Sequence, residues 1–334
     1  MRTFLLTALI ATATATAYLG GAQLTGVEVS LGDVSINKVP QLVAADRGIY
    51  AKYGLDVHQT ISTGAARAAA GSGVVVPDAY VNQTPAVPAV IDVGGGSPMI
   101  YGVVTNGRPT RVIVLTQEAM AMDHVIAKSG IANLQDLRGK RLGFSGIGTV
   151  THFNALSLAR QFGWTSDRDI TLVSGAATLD ALKQGKVDAV LGSAMVIALA
   201  PQAGYKDIGE LSGYKIPMAG SGIMVDKEYL ATHRDTVLRF LKADIEATAL
   251  MQRDRRVFNA ALAKWFNITD AATQNGMFAH VKKFEKKPYP SVDGVKRVFA
   301  IYDSPEMRKR TPEEFYDSSL IAELDKSGFL DNPK

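Results

Sequence analysis

Between Asp123 and Ser193 the chain repeats one alternation that few folds accommodate. "DHVIAKSG" (123–130), "KRLGFSG" (140–146), "DITLVSG" (169–175) and "VDAVLGS" (187–193) are short, mostly apolar runs closed by glycine or serine. Such runs, of strand length and bounded by turn residues, read as buried strands. Three helical stretches lie between them. "NLQDLRGK" (133–140) is short, and "TLDALKQG" (178–185) is another. The longest is capped by Thr149 or Thr151 and reaches Phe162, with Ala155, Leu158, Ala159 and Phe162 at i, i+3, i+4, i+7. Strands that alternate with helices must be joined by crossovers, which gives a parallel α/β unit.

The N-terminal part continues the theme. "GVEVSLG" (26–32) places Val27, Val29 and Leu31 at the period of a half-buried strand. In "VPQLVAADRGIYAKYGLDV" (39–57), Pro40 suits the first turn of a helix. Gly48 interrupts that helix, Ile49–Tyr53 add a turn, and Gly54 supplies the left-handed residue that ends it. Leu55-Asp56-Val57 then begins a strand. "VIDVGGGSPMIYG" (90–102) predicts a strand, a glycine turn and a helix starting at Ser97 with Pro98 in its first position. "TRVIVLTQ" (110–117) predicts a buried strand by its β-branched content. Residues 64–90 carry Gly71, Gly73, Pro77, Pro85 and Pro88; a helical start, a loop and a helix near Thr84–Ile91 are expected there. Beyond "YKIPMAGSGIMV" (214–225) the chain becomes mainly helical, and Asp235 is expected to cap a helix carrying Leu238, Leu241, Ile245 and Ala249 on one face.

The opening residues read as an export signal. "MRTFLLTALIATATATAYLGGA" has Arg2, an apolar stretch from Phe4 to Ala11, and small residues in small-x-small order, so 1–22 is expected to be cleaved on secretion. The alternative, a membrane anchor, asks for a longer apolar run. Loss of Arg2 lowers the formal charge from +4 to +3. Charge that mild, with no basic arm interleaved with aromatics, gives no case for nucleic acid.

The chain has no cysteine. That excludes disulfides, a thiol nucleophile, thiolate-held zinc or iron–sulfur, and a lipid-modified cysteine behind the signal. Free diffusion in a periplasm is the expectation. The five histidines, His58, His124, His152, His233 and His280, show no H-x-x-x-H or H-E-x-x-H spacing. No metal and no cofactor are expected. "VGGGSPMIYG" meets neither nucleotide-loop pattern, and no G-x-S-x-G elbow occurs.

Three stretches in order resemble the substrate-binding proteins of ABC importers of the nitrate/sulfonate/taurine/bicarbonate type. The first is "VPQLVAADRGIYAKYGLDV", carried by Pro40, Ala44, Gly48, Ile49, Gly54, Leu55, Asp56 and Val57, although Ala44 falls four after Pro40 and not three. The second is "NLQDLRGKRLGFSGIGT" and the third "LDALKQGKVDAVLGS". The resemblance implies a type II periplasmic binding fold, with two α/β lobes, each a mixed, mainly parallel sheet flanked by helices, and two crossover strands as hinge. Lobe one is then 27–115 plus 221–334, and lobe two 116–220. The hinge falls near Leu115–Glu118 and Met218–Gly222.

Helix N-termini are ready anion sites, because their N–H groups lack partners and carry partial positive charge. "GGGSP" offers Gly96, Ser97 and Pro98. "SGIGTVT" offers Gly146, Gly148, Thr149, Val150 and Thr151. Without a ligand the same residues are glycine turns and ordinary N-caps. Asn37 and Lys38, in the loop before the first helix, are candidate donors; Lys38 reads equally as a solvated side chain. The resemblance implies Ser193 as a lobe-two contact, and Ser221 as a hinge or ligand residue, with Met195 as an apolar wall or core residue. His152 reads as a partly exposed helix histidine.

The function expected is that of a monomeric periplasmic solute-binding protein, not an enzyme. It takes a small anionic ligand, a carboxylate or sulfonate, by hinge closure and delivers it to an ABC permease in the inner membrane. Two alternatives remain open at this point. One is an enzyme on the same fold acting on a pyrimidine or an aromatic acid. The other is a sensor domain presenting its ligand to a receptor.

Overall fold

The computed structural model describes residues 23–61, 63–70, 88–192 and 194–333. The expected signal segment, Ser193 and most of the irregular stretch before Val90 lie outside the described residues.

Among the described residues, ten strands form two mixed five-stranded sheets. The first contains β1 (Thr25–Leu31), β2 (Leu55–Ile61), β3 (Ile91–Gly95), β4 (Arg111–Thr116) and β10 (Ser221–Asp226), in the order β2-β1-β3-β10-β4. β1 pairs in parallel with β2 and β3, and β10 runs antiparallel between β3 and β4. The second contains β5 (His124–Ala127), β6 (Arg141–Phe144), β7 (Thr171–Ser174), β8 (Ala189–Gly192) and β9 (Lys206–Glu210), ordered β7-β6-β8-β5-β9. β6 is parallel to β7 and β8, as the alternation from Lys140 to Ser193 predicts. The first run of the alternation, β5, departs from the parallel expectation: it pairs antiparallel with both β8 and β9, so that β9 runs in the direction of the core strands.

In β1, Val27, Val29 and Leu31 are each at most 3% exposed, and the residues between them turn away. Their face meets the helices Val39–Asp46, Arg234–Arg253 and Arg255–Phe266 through Leu42, Val43, Phe240, Leu241 and Phe258. Each buried side chain of this size contributes roughly 1.5–3 kcal/mol of transfer free energy. Gly48 (φ 66°) and Gly54 (φ 71°) both take the left-handed conformation that breaks the first helix and turns the chain into β2.

Several expectations need correction. Helix Gly96–Asn106 begins at Gly96, one residue before Ser97. "NLQDLRGK" makes only a 3-10 turn, Leu134–Leu137, started by the Asn133/Asp136 capping box. Ile91 opens β3 and does not end a helix. Asp235 does not cap helix Arg234–Arg253; His233 holds that position without a side-chain hydrogen bond, and Asp235 pairs with Arg239 one turn on. The buried face of this helix runs through Val237, Phe240, Leu241, Asp244 and Met251, while Leu238 and Ala249 sit at its margin.

Two segments connect the sheets. One leaves β4 for β5 through 117–123, and the other enters β10 through 215–220. They lie antiparallel and hydrogen-bond through Gln117 N to Ser221 O (2.8 Å), Met218 N to Ala119 O (2.9 Å) and Ala121 N to Ile216 O (3.0 Å). Backbones this close leave no room for side chains: a Cβ on Gly222 would sit 2.0 Å from the Leu115 carbonyl oxygen, and one on Gly220 2.4 Å from that of Glu118.

Candidate functional site

A cavity of about 920 Å³ opens beside the crossovers. Its walls include the residues that follow the carboxyl ends of parallel strands in both sheets. Asp33, Ser35 and Asn37 follow β1, and Gly94 and Gly95 end β3. Ser145 follows β6, and Gly175 and Thr178 follow β7. Strand ends in α/β sheets collect ligands because helix N-termini and loops converge there.

Of the residues singled out from the sequence, Asn37, Pro98, Thr149, Val150, Thr151 and Ser221 line the cavity. Lys38, Gly96, Ser97, Gly146 and Gly148 do not. Lys38 is 1% exposed, and its ammonium lies 2.9 Å from the Asp33 carboxylate, so it is neither a cavity donor nor a solvated side chain. Asp33 itself is about half exposed, and the Lys38 ammonium with the Ser35 hydroxyl holds its carboxyl below the usual range. At "GGGSP", the N–H groups of Gly96 and Ser97 donate to Gly220 O and Ala219 O, both at 2.9 Å. The second crossover, and not an anion, satisfies this helix start. The Ser97 hydroxyl is fully buried.

Gly148 takes φ 77° and lies flat on Tyr101; a Cβ there would meet the ring at 2.3 Å. A Cβ on Gly95 would meet Val150 Cγ2 at 2.5 Å. The two glycine loops therefore touch, and their glycines permit contact between the helices that follow. His152 serves the same loop. Its Nδ1 accepts from Gly148 N (3.0 Å) and its ring stacks on Phe144 with centroids 4.6 Å apart. Burial lowers its pKa, which suits an acceptor nitrogen.

Beyond that loop, helix Val150–Gln161 presents hydroxyls. Thr149 caps it, accepting from His152 N (3.3 Å) and donating to Gly146 O (2.6 Å). Ser145 Oγ lies 2.7 Å from Thr151 Oγ1 and donates to Thr149 Oγ1 at 3.0 Å. All three hydroxyl residues line the cavity at a helix N-terminus.

Acidic groups on the wall escaped the sequence reading. Glu118, in the first crossover, meets His280 of helix Ala271–Val281, with Oε1 2.7 Å from Nε2. Burial opposes charge on His280, but Glu118, with Asp123 behind it, holds its pKa above the ordinary value. Asp123 lies just before β5. Burial, reinforced by the charge of Glu118, pushes its carboxyl up to about 6 against a hydrogen bond from Asn154 Nδ2 (2.7 Å). Asp92 lines the cavity too and pairs with Arg111 at 2.7 Å. No local pattern marks these residues, because each partner comes from a distant segment. No group of three metal-ligating side chains occurs among the described residues.

Two mixed sheets joined by paired crossovers beside a cavity at their strand ends define the periplasmic-binding-protein fold. Residues 103–254 match the family model described as NMT1/THI5 like. The chain is 24% identical over 188 residues to a Brachyspira hyodysenteriae protein described as an ABC transporter periplasmic binding protein. That match spans 56% of this chain and about half, 52%, of the relative. In structure the chain is similar to the nitrate-binding protein NrtA of Synechocystis PCC 6803, with TM-score 0.69, 12% identity, and 91% of this chain and 89% of that one covered. It is also similar to the aliphatic sulphonate binding protein SsuA of Escherichia coli, with TM-score 0.63, 16% identity, and 87% and 98% covered. The desulfurization enzyme DszB has the same fold, with TM-score 0.59, 14% identity, and 91% and 99% covered. At these identities the structural likeness establishes the fold. The resemblance drawn from the three sequence stretches holds: the chain is similar to NMT1/THI5-like substrate-binding proteins of ABC importers.

Proposed function

We propose that this chain is the periplasmic solute-binding component of an ABC importer and takes a small organic acid, a carboxylate or sulfonate. Its lobes in this reading are 27–115 with 221–334, and 116–220, and residues 1–22 form its leader. It works as a monomer and hands its ligand to a membrane permease. The observation that carries the reading is the cavity beside the two hydrogen-bonded crossovers, lined from both sheets and bearing the Ser145–Thr149–Thr151 hydroxyls at a helix start. The acid group sits at that helix start, where the Thr151 hydroxyl and the helix dipole favour negative charge. Closure follows from differential affinity: a ligand that touches both lobes binds the closed form better and shifts the population toward it. No bond is made or broken.

Thermal shift of residues 23–334 against small carboxylates, sulfonates and inorganic anions tests this. A ligand at a hundredfold over its Kd adds about 2.7 kcal/mol. At about 2 °C per kcal/mol for a chain of this size, Tm rises by roughly 5 °C. A stabilising acid recovered unchanged supports the reading. No shift across the panel overturns it, and chemical turnover of the stabilising compound replaces it with the enzyme reading.

A further inference from the structure

We propose that His152 is a positioning residue for the acid site: its neutral ring holds the loop that starts helix Val150–Gln161, and a proton added to that ring releases the loop and weakens acid binding. This rests on the acid-binding reading above and adds its control by pH.

A backbone N–H only donates, so the 3.0 Å contact from Gly148 N makes His152 Nδ1 an acceptor and puts the neutral ring's one proton on Nε2. The ring is confined by its stacking on Phe144 and by Tyr302, whose ring centroid lies 5.5 Å away. Gly148 packs on the Tyr101 ring. The next residue, Thr149, is the N-cap of the helix, and Thr151 follows it on the cavity wall. One hydrogen bond to an imidazole therefore fixes the backbone that aims this helix start at the cavity.

A second proton has to go to Nδ1. There it faces the Gly148 N–H, donor against donor, and the hydrogen bond is lost. The charged ring has another partner, because the Tyr302 phenol oxygen lies 3.3 Å from Nδ1 and accepts that proton. Burial, with Tyr101 beside it, raises the Tyr302 pKa, so the group stays a phenol. The ring thus has two states: neutral and bonded to Gly148, or charged and bonded to Tyr302.

The ionisable groups packed around the ring are engaged elsewhere. Helix Gly96–Asn106 carries only Tyr101, and the loop 145–148 carries none. On helix Val292–Ile301, Asp293 and Lys296 are exposed, and Arg297 is set against Arg160. Asp303 beyond it pairs with Arg308 at 2.6 Å. Arg141 of β6 pairs with Asp188 at 2.8 Å, and Arg160 of the ring's own helix donates to Ala300 O at 3.1 Å. Burial by itself lowers the His152 pKa. A positive charge gained beside an anion site ordinarily strengthens binding in acid, and protonation of Asp123 and His280 on the same wall acts in that direction too. Release of the loop acts the opposite way, so the sign of the His152 contribution separates positioning from simple charge.

Titration calorimetry on residues 23–334 with butanesulfonate, benzenesulfonate, butyrate and benzoate tests the proposal. His152→Asn sets an amide oxygen near the place of Nδ1, where it accepts from Gly148 and does not titrate. His152→Leu removes the acceptor. At pH 7.5, His152→Asn is expected to bind as the unmodified protein does, and His152→Leu about tenfold more weakly. At pH 5, the unmodified protein is expected to fall about tenfold below His152→Asn. That ratio cancels the ionisation of the probes and of the other wall groups. In nitrogen-15 spectra of the unmodified protein without probe, His152 is expected as the Nε2–H tautomer. The Gly148 amide is expected to titrate with it at a midpoint below about 6.5. A ratio that stays constant or rises in acid, full affinity in His152→Leu, or an Nδ1–H tautomer overturns the proposal and leaves the acid-binding reading intact. Binding by no probe overturns both. Should His152→Asn fail to fold, the spectra of the unmodified protein decide.

Discussion

His280 Nε2 lies 2.7 Å from Glu118 Oε1 and joins a C-terminal helix to the first crossover 162 residues earlier. The side chains are 12% and 9% exposed, so the pair is shielded from solvent. Because Glu118 raises the His280 pKa, the folded state holds a proton that the unfolded chain gives up earlier. The stabilisation is complete below the unfolded value of about 6.5 and is lost as pH rises through the folded value. Glu118→Gln is expected to cost about 1–3 kcal/mol at acidic pH and less in alkaline buffer. Urea denaturation at both ends of the range checks this; a loss independent of pH refutes it.

Asp244 gives the opposite kind of dependence. It is 1% exposed within the core of the first sheet, bonded to the Gln41 amide, and burial pushes its carboxyl up to about 7. Between the unfolded value of about 3.9 and that value, the folded chain holds the proton and the unfolded chain releases it. Stability therefore falls as pH rises across that window and levels off above it. Asp244→Asn is expected to gain on the order of 2–4 kcal/mol in mildly alkaline buffer and almost nothing in acid. Denaturation midpoints compared at the two extremes decide.

Gly222 and Gly148 are fixed by close approach. Gly222→Ala places a methyl 2.0 Å from the Leu115 carbonyl oxygen, inside paired strands that cannot separate locally. A cost of about 1–3 kcal/mol is expected from overpacking. Gly148→Ala meets the Tyr101 ring and adds the left-handed backbone penalty of about 1–2 kcal/mol. Melting temperatures of both variants below that of the unmodified protein are the expected result, and an unchanged Tm for either contradicts the packing account.

Gln117 is 3% exposed in the first crossover, and neither side-chain polar atom finds a partner among the described residues. Methionine has nearly the same shape and nothing to desolvate. Gln117→Met is expected to stabilise the fold by about 1–2 kcal/mol, because an unsatisfied buried amide costs about that much. A lower midpoint in denaturant would mean that this amide is paired in solution.

Much of the architecture is written in local pattern. The β-branched run at 110–117 becomes β4, and the alternation from Lys140 to Ser193 becomes three parallel strands with the helices between them. β9 went unread, since "KDIGE" has a single apolar side chain and is a strand only because β5 supplies its partner. The site was half legible. Glycines and hydroxyls near predicted helix starts point to Thr149 and Thr151, which line the cavity. The same signal at Gly96 and Ser97 misleads, because the carbonyls that satisfy their N–H groups arrive from Ala219 and Gly220, more than a hundred residues later.

What the sequence by itself determined is where most of the strands and helices fall; two α/β units beside a cavity followed only from the resemblance of three stretches. Periodicity, caps and glycine conformations act within a few residues, so they are readable without the fold. Only the tertiary structure decided the charge of that cavity. It buried Lys38 against Asp33, gave Glu118 to His280, and left Asp123 with a neutral amide. Side-chain pairing is a matter of distance in space. A carboxylate's partner, and with it the chemistry the wall offers a ligand, is set when remote segments meet.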